Sequence, residues 1–285
     1  MVVAAGCKPV LADVDPETCT LTPQEVERRI TPRTKALVPV HLFGGPADIP
    51  GLTQVARRHG LKIIWDAAQA HGAQFRGHDV GSFPDVACYS FYPTKNMTTG
   101  EGGMITTSSR KLAEKLRLLS SHGEVGRYRH IVFGYNFRLT DIAAAIGRAQ
   151  LRKLRDALRR RRANARILTQ GLQGLPGIQT PQAGRGVNHA FSLYTIILNP
   201  KSLGMSRDQF QRALLRRGIE TAVHYPLPLH RQPIFRGFGS DRDFPVSTRL
   251  AESVISLPVH PALTRADLGQ IVRAVRQVVG KKGKR

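Results

Sequence analysis

The sequence is poor in cysteine, in acidic residues and in aromatic residues, and it has no long apolar run. Its 285 residues include 3 cysteines without a Cys-x-x-Cys pair. This excludes a disulfide scaffold or zinc ribbon and is typical of the reducing cytoplasm. No apolar stretch approaches the roughly 18 residues of a transmembrane helix, and the basic start of a signal peptide is lacking. We therefore expect a cytoplasmic protein with no membrane partner.

The shortage of acidic residues leaves 43 basic against 20 acidic side chains and a net charge of +23. This charge favours anionic partners but does not indicate a fold. One basic concentration, 152–166, carries leucines at helical spacing, which predicts an amphipathic helix whose arginines 159–162 face solvent. Aromatic residues make up 6% and do not alternate with the arginines. Because single-stranded nucleic acid binds by stacking on aromatic side chains, a nucleic-acid partner is not expected.

Apolar β-rich segments alternate with helical patterns as far as residue 171, which predicts an α/β fold with a mostly parallel sheet. Segment 171–186 is rich in Gly, Pro and Gln and is interpreted as a linker. A strand at 191–198 and helices at 207–217, 248–253 and 264–279 follow it. We predict a large domain with its connecting helix over 1–170, a small C-terminal α+β domain over 187–280, and a basic tail over 281–285. In the large domain the predicted strands are 36–40, 61–65, 86–91 and 104–107, and the predicted helices are 49–59, 111–119 and 140–171.

Several common signatures are absent. The sequence has no P-loop and no Gly-x-Ser-x-Gly elbow, and Gly100-Glu101-Gly102 lacks the last glycine of a dinucleotide fingerprint. The spacing of the scattered candidate ligands fits no metal-binding template, so no metal is expected. These candidates are His41, His71, His78, Asp79 and His122.

Two residues at predicted strand ends indicate chemistry. Asp66 follows the apolar run 61–65 and therefore lies where open α/β sheets bind ligands, although a salt bridge or a helix N-cap would also explain it. Lys95 follows the next strand and is framed by Pro93 and glycines; a shielded lysine is a good nucleophile toward carbonyls. Together they suit pyridoxal phosphate: the lysine binds the aldehyde, and the acid keeps the pyridine nitrogen protonated.

These positions belong to a series of motifs that occur in order along nearly the whole chain. In this combination the sequence resembles the DegT/DnrJ/EryC1/StrS family of pyridoxal-phosphate-dependent aminotransferases, which act on nucleotide-linked keto sugars and have the fold-type-I architecture. The motifs are 5–10 (AGCKPV), 66–73 (DAAQAHGA), 90–96 (SFYPTKN), 99–104 (TGEGGM), 134–141 (GYNFRLTD), 224–226 (HYP) and 257–261 (LPVHP).

The resemblance implies roles for single residues. Lys95 matches the Schiff-base lysine, and Asp66 matches the partner of the pyridine nitrogen. Gln69 matches the residue that lies against the cofactor ring and its phenolic oxygen. Ser90 matches a residue whose hydroxyl binds the cofactor phosphate. Asn136 matches a residue that reaches the phosphate held by the neighbouring subunit, which implies a homodimer with shared active sites.

His224 and Tyr225 stand in a proline-rich loop that the family pattern places near the substrate. The resemblance also implies that the chain begins inside the family pattern. An upstream Gly-Thr turn and helix N-terminus, which would cradle the cofactor phosphate, are missing, so we expect an N-terminally incomplete large domain with weakened cofactor binding.

The sequence therefore favours an aminotransferase that moves an amino group from an amino acid, by family analogy glutamate, to a nucleotide-linked keto sugar in amino-sugar, polysaccharide or secondary-metabolite biosynthesis. The alternative is a non-catalytic or regulatory relic of the same fold that binds polyanions. A related sugar dehydratase is disfavoured, because that branch is expected to have histidine in place of Lys95.

Overall fold

The computed structural model describes residues 1–182 and 184–280, so the predicted basic tail lies outside the described residues. In the first part of the chain, short strands alternate with helices, as the sequence predicts. These elements are α1 (Pro23–Arg29), β1 (Ala36–Leu37), α2 (Ile49–Arg58), β2 (Lys62–Asp66), β3 (Gln74–Phe75), β4 (His78–Asp79), β5 (Val86–Ser90), β6 (Gly103–Thr106) and α3 (Arg110–Ser120).

The second part begins with the long predicted helix. Its elements are α4 (Asp141–Leu172), β7 (Ile178–Gln179), β8 (Val187–Asn188), β9 (Tyr194–Leu198), α5 (Pro200–Leu203), α6 (Arg207–Leu215), α7 (Pro245–Ser253), β10 (Val254–Leu257) and α8 (Arg265–Gly280). Strand β7 lies inside 171–186, the segment interpreted as a linker, and it pairs with β9. The segment therefore contributes a strand to the second sheet, because its glycines and prolines flank an apolar residue that packs there.

The first sheet has the strand order β1-β2-β5-β6. Strand β2 pairs in parallel with β1 and with β5, whereas β6 is antiparallel to β5. The predicted mostly parallel α/β architecture is thus confirmed. Strand β1 is shorter than the predicted 36–40, because Pro39 has no N–H to donate, although Val40 still forms an isolated bridge with Asp66.

One face of this sheet is packed and the other is open. Side chains alternate along a strand, so Ile63 and Trp65 point into the core, where they are 2% and 0% exposed. Helix α2 covers this face with Leu52, which is fully buried and contributes about 1.5–3 kcal/mol by its removal from water. On the opposite face Ile64 and Ile105 are 38% and 47% exposed.

The second sheet, with strand order β10-β9-β7, has a separate core formed with helices α6 and α8. Helix α6 begins with a capping box: the Ser206 side chain accepts from the Gln209 backbone, and the Gln209 side chain accepts from the Ser206 backbone. Helix α4 joins the two cores. Its Leu158 is buried in the first, and its Leu168 and Leu172 are buried in the second.

The arginine run on α4 differs from its prediction. Arg159 and Arg160 are exposed as expected, but Arg161 and Arg162 turn inward and are half-buried. Arg161 donates to the carbonyl oxygens of residues 191 and 192 at 3.1 and 3.4 Å. Arg162 donates from Nε to the carbonyl oxygen of residue 189 at 3.0 Å and from a terminal nitrogen to that of residue 72 at 2.8 Å. The prediction that the whole run faces solvent is therefore wrong, because irregular backbone beside the helix needs donors.

Arg162→Met tests this inward role. Methionine keeps the apolar stem but removes both hydrogen bonds from a charged donor, so the free energy of unfolding should fall by about 2 kcal/mol. Urea denaturation measures the change. Arg160→Met, at an exposed neighbour, is the matched control and should stay within about 0.5 kcal/mol of the unchanged chain. Equal stability of the two variants would contradict the role.

Candidate active site

The carboxyl ends of two adjacent parallel strands define the candidate site. Asp66 is the last residue of β2 and lies opposite Cys88 of β5, and Ser90 ends β5. The backbone around Asp66 is fixed on both sides: its N–H donates to the Pro39 carbonyl oxygen, and the next N–H donates to the Cys88 carbonyl oxygen, at 2.9 and 2.8 Å. Open α/β sheets bind ligands at this edge.

The Asp66 side chain points to the open face of the sheet and is half-buried. Its Oδ1 accepts from the Ala68 N–H at 2.9 Å, and it forms no ion pair within residues 1–182 and 184–280. Burial and the Asp66 carboxylate raise the pKa of the neighbouring Cys88 thiol, in that order of importance. One carboxylate oxygen therefore stays available to a donor from outside the chain.

Gln69 lies in the buried loop that follows Asp66 and is 6% exposed. Its Oε1 accepts from the Phe43 N–H at 2.6 Å, and its Nε2 donates to the Tyr225 hydroxyl at 3.0 Å. Tyr225 itself is 53% exposed. Gln69 thus joins the loop after β2 to the loop after β1 and to the proline-rich loop of the C-terminal part.

Lys95 lies in a tight loop after β5 and is half-buried. Its backbone N–H donates to the Tyr92 carbonyl oxygen at 3.0 Å, and the Thr99 N–H donates to that of Phe91 at 3.0 Å. Gly102, with φ +144°, closes the loop, since a Cβ there would lie 2.7 Å from Thr99 Oγ1. Within the described part of the chain, the Lys95 ammonium forms no hydrogen bond or ion pair. The fold therefore leaves this amine without a protein partner.

Two imidazoles lie within the electrostatic reach of Lys95. His71 is 3% exposed and packs against the rings of Tyr89 and Phe91, with centroids 5.3 and 5.9 Å away. Burial, and less strongly the Lys95 charge, lowers the pKa of His71 to about 4. Burial and then Lys95 also lower the pKa of His224, whose Nδ1 is buried without a hydrogen-bond partner among the described residues. Both rings thus favour the neutral form beside Lys95.

Asn136 is not brought to this cluster. It is exposed, forms a bridge with Ser121, and its Oδ1 accepts from Arg138 Nε at 2.5 Å. The surrounding segment carries an exposed apolar surface that includes Phe133 and Phe137, which are 101% and 68% exposed. Among the predicted site residues, Asn136 is thus the one whose described contacts link it neither to Gln69 nor to the loop that carries Lys95.

His71 joins the site, although the sequence indicates no role for it beyond its place in the motif 66–73 and among metal candidates of unsuitable spacing. The available signal was its place five residues after Asp66, among alanines and a glycine that allow close packing. Within the described ranges, no three His, Cys, Asp or Glu side chains are grouped so that they could hold a metal ion. No helix in these ranges is both long and apolar enough to cross a membrane.

The fold and the strand-end lysine and carboxylate define an aminotransferase-like α/β protein, and comparison with known proteins identifies its family. The pattern of the DegT/DnrJ/EryC1/StrS aminotransferase family matches residues 1–276. The chain belongs to this family. It is a pyridoxal-phosphate-dependent aminotransferase, and the predicted fold class and cofactor are confirmed.

Among curated relatives, the UDP-N-acetyl-3-dehydro-alpha-D-glucosamine 3-aminotransferase of Acidithiobacillus ferrooxidans is 42% identical over 279 residues, 98% of this chain and 73% of the relative. The dTDP-3-amino-3,4,6-trideoxy-alpha-D-glucose transaminase of Streptomyces venezuelae is 41% identical over 278 residues, 97% of this chain and 72% of the relative. The crystal structure of S. venezuelae DesV in complex with a ketimine intermediate superposes with a TM-score of 0.92 at 41% identity, covering 97% of this chain and 73% of that one.

Proposed function

We propose that this chain transfers an amino group from an amino acid, with glutamate as the expected donor, to a nucleotide-linked keto sugar in the cytoplasm, as part of amino-sugar, polysaccharide or secondary-metabolite biosynthesis. The observation that carries the proposal is an unpaired, half-buried Lys95 amine at the same sheet edge as Asp66 and Gln69. The activities of the two enzymes above, which act on UDP- and dTDP-linked sugars, support a sugar nucleotide as the substrate class.

The donor set fits pyridoxal phosphate. The group needs an amine for its aldehyde, an anion for its pyridine nitrogen and donors for its phosphate. Lys95 offers an amine without a partner in the described chain, Asp66 has an unused carboxylate oxygen, and the Ser90 hydroxyl lies at the end of the neighbouring strand. When bound, the cofactor supplies an electron sink for the bond being broken at the amino-acid α-carbon.

Each residue then has a physical task. Lys95 would hold the cofactor through its aldehyde carbon, with loss of water, and its amine, once released, would move a proton between the amino-acid α-carbon and the cofactor C4′ carbon. Asp66 holds a proton on the pyridine nitrogen through a charge-assisted hydrogen bond. Gln69, held by Phe43 and Tyr225, would lie against the cofactor ring, and Ser90 would donate to the phosphate.

His224 and Tyr225 are assigned to the substrate side of the site. The Tyr225 hydroxyl accepts a hydrogen bond from Gln69. Burial, and then the charge of Lys95, lowers the pKa of His224. A ligand that contacts Lys95 therefore meets a neutral imidazole and a half-exposed phenol, which are suitable for the hydroxyl groups of a sugar. The net charge of +23 suits the diphosphate of the nucleotide.

We assign Asn136 to the phosphate site of the partner subunit in a homodimer with shared active sites. Asn136 is not among the residues that surround Lys95 in the same chain. The exposed aromatic surface around Phe133 has the apolar character of a subunit interface. The Asn136 Oδ1 atom accepts from Arg138 Nε, and the amide Nδ2 remains as a donor that no described residue engages.

The first test is the site of covalent cofactor attachment. Protein mixed with pyridoxal phosphate should gain visible absorbance, and borohydride should fix the label on Lys95, which peptide mass mapping identifies. Lys95→Ala should lose the absorbance, whereas Lys115→Ala, at an exposed lysine of α3, should keep it. Labelling of another lysine with Lys95 unmodified would sink the proposed mechanism.

The second test addresses Asp66. Asp66→Ala should still bind the cofactor but should lower transamination by several powers of ten, because the pyridine nitrogen loses its proton and the ring its electron withdrawal. Asp156→Ala removes an exposed carboxylate of α4 and serves as the control with unchanged turnover. Near-normal turnover of Asp66→Ala, measured with glutamate and a nucleotide-linked keto sugar, would show that the role is wrong.

The third test addresses the homodimer. The unchanged chain should sediment as a dimer at micromolar concentration. Phe133→Asp should shift it to monomer, because it places a charge in the apolar surface. Leu215→Asp, at a residue of α6 that is 60% exposed and outside this surface, is the control and should remain dimeric. A monomeric unchanged chain with full cofactor occupancy would contradict the shared site.

A further inference from the structure

Asn96, the residue directly after Lys95, is anchored to a distant part of the chain. Its side chain is buried, with 9% of the residue exposed, and its Nδ2 donates to the Ala190 carbonyl oxygen at 3.1 Å. Its neighbour Lys95 has no hydrogen bond or ion pair from its own ammonium in the described part of the chain. The Asn96 amide is therefore the nearest side-chain attachment of the loop that carries the reactive amine.

The anchor point is itself fixed to the rest of the site. The Ala190 N–H donates to the Gly44 carbonyl oxygen at 2.8 Å, and the preceding residue, Phe43, donates to Gln69 Oε1 at 2.6 Å. At Gly44 an added Cβ would lie 2.9 Å from the Ser192 nitrogen, which shows how closely the two backbones approach. A continuous chain of buried contacts thus runs from Asn96 to Gln69, the residue expected against the cofactor ring.

The hydrogen bonding of Asn96 is incomplete. Its Oδ1 is buried and has no partner among the described residues, and an unsatisfied buried acceptor costs free energy. An apolar residue would avoid this cost if the position served packing alone. Only the donor half of the amide is used, and it is used to hold the Lys95 loop against residue 190.

We propose that Asn96 is a positioning residue that sets the place of the Lys95 amine relative to Gln69 and Asp66. The inference rests on the proposed function, since it requires that Lys95 carries the cofactor. A positioning role for Asn96 should affect the binding of the two cofactor forms differently. Pyridoxal phosphate forms a covalent bond with Lys95 and depends on where the amine lies, whereas pyridoxamine phosphate has no aldehyde and binds only through noncovalent contacts.

The experiment compares the unchanged chain with Asn96→Ala and Asn164→Ala. Asn164 is a matched control: it lies on α4, is 6% exposed, and its Nδ2 donates to the His260 carbonyl oxygen at 2.9 Å. The dissociation constants for pyridoxal phosphate and pyridoxamine phosphate are measured for each protein. The lysine that borohydride labels is mapped at saturating pyridoxal phosphate, so that weak binding does not obscure the result.

In Asn96→Ala the ratio of the two dissociation constants should shift against pyridoxal phosphate by about tenfold or more, an easily resolved change in affinity. Part of the label should also move from Lys95 to other lysines. Asn164→Ala should lower thermal stability but leave the ratio and the labelled residue unchanged. If Asn96→Ala does not unfold cooperatively, Asn96→Asp keeps the side-chain shape, removes the donor, and is judged by the same criteria.

Equal weakening of both cofactor forms, or exclusive Lys95 labelling at an unchanged ratio, would overturn the positioning role. A shift in Asn164→Ala as large as in Asn96→Ala would overturn it as well, because general destabilisation would then explain both. The two proposals fail differently. If the unchanged chain does not direct the label to Lys95, the proposed function itself is wrong.

Discussion

The structure depends on the parallel pairing that fixes Asp66 between its neighbours. The Asp66 N–H is bound to the carbonyl oxygen of Pro39, its own carbonyl oxygen accepts from the His41 N–H, and the following N–H is bound to Cys88. Parallel strands bring their carboxyl ends to one edge of a sheet. The loops after β1, β2 and β5, which carry Phe43, Gln69 and Lys95, therefore begin at nearly the same place. The proposed chemistry needs these loops close together. The backbone pairing of the strands places them so, independently of side-chain contacts.

Irregular backbone beyond the ends of the strands has N–H and C=O groups that need hydrogen-bond partners. This requirement explains why Arg161 and Arg162 turn inward. The irregular segment 189–192 passes between the loops of the first sheet and the start of β9, and its carbonyl oxygens are met by Arg161, Arg162 and Asn96. Burial lowers the pKa of Arg161 and Arg162, yet guanidinium remains charged at any physiological pH. Two cations are thus used as structural donors, which couples α4 to the loops on which the site is built.

Local sequence patterns predict more of the first sheet than of the contacts between distant segments. Asp66 stands at the end of an apolar strand and Lys95 in the loop after the next strand, so their place at the sheet edge follows from local pattern. Gln69 and Ser90 have no such signal, and only the family resemblance pointed to them. The charge of Arg161 and Arg162 favoured a solvent face, although both lie within one turn after Leu158 and therefore on its buried face. The sequence pattern does not show that a loop far away in sequence lacks donors at this place. In the same way, β7 was missed because a two-residue strand leaves no periodic pattern.

Electrostatics gives a reason for the proposed sharing of the active site between two subunits. His71, with a pKa of about 4, is uncharged above about pH 5. The pKa of His224 is lowered too, first by burial and then by Lys95. Lys95 is the charged group that acts on both rings. A phosphate dianion in this cluster would meet neutral donors such as Ser90, while the Lys95 amine would be engaged at the aldehyde end of the cofactor. The segment that carries Asn136 also carries Arg138, whose guanidinium is already hydrogen-bonded to the Asn136 amide. If a partner subunit placed Asn136 and Arg138 beside the cofactor phosphate, the Asn136 amide would supply a hydrogen-bond donor and Arg138 a positive charge.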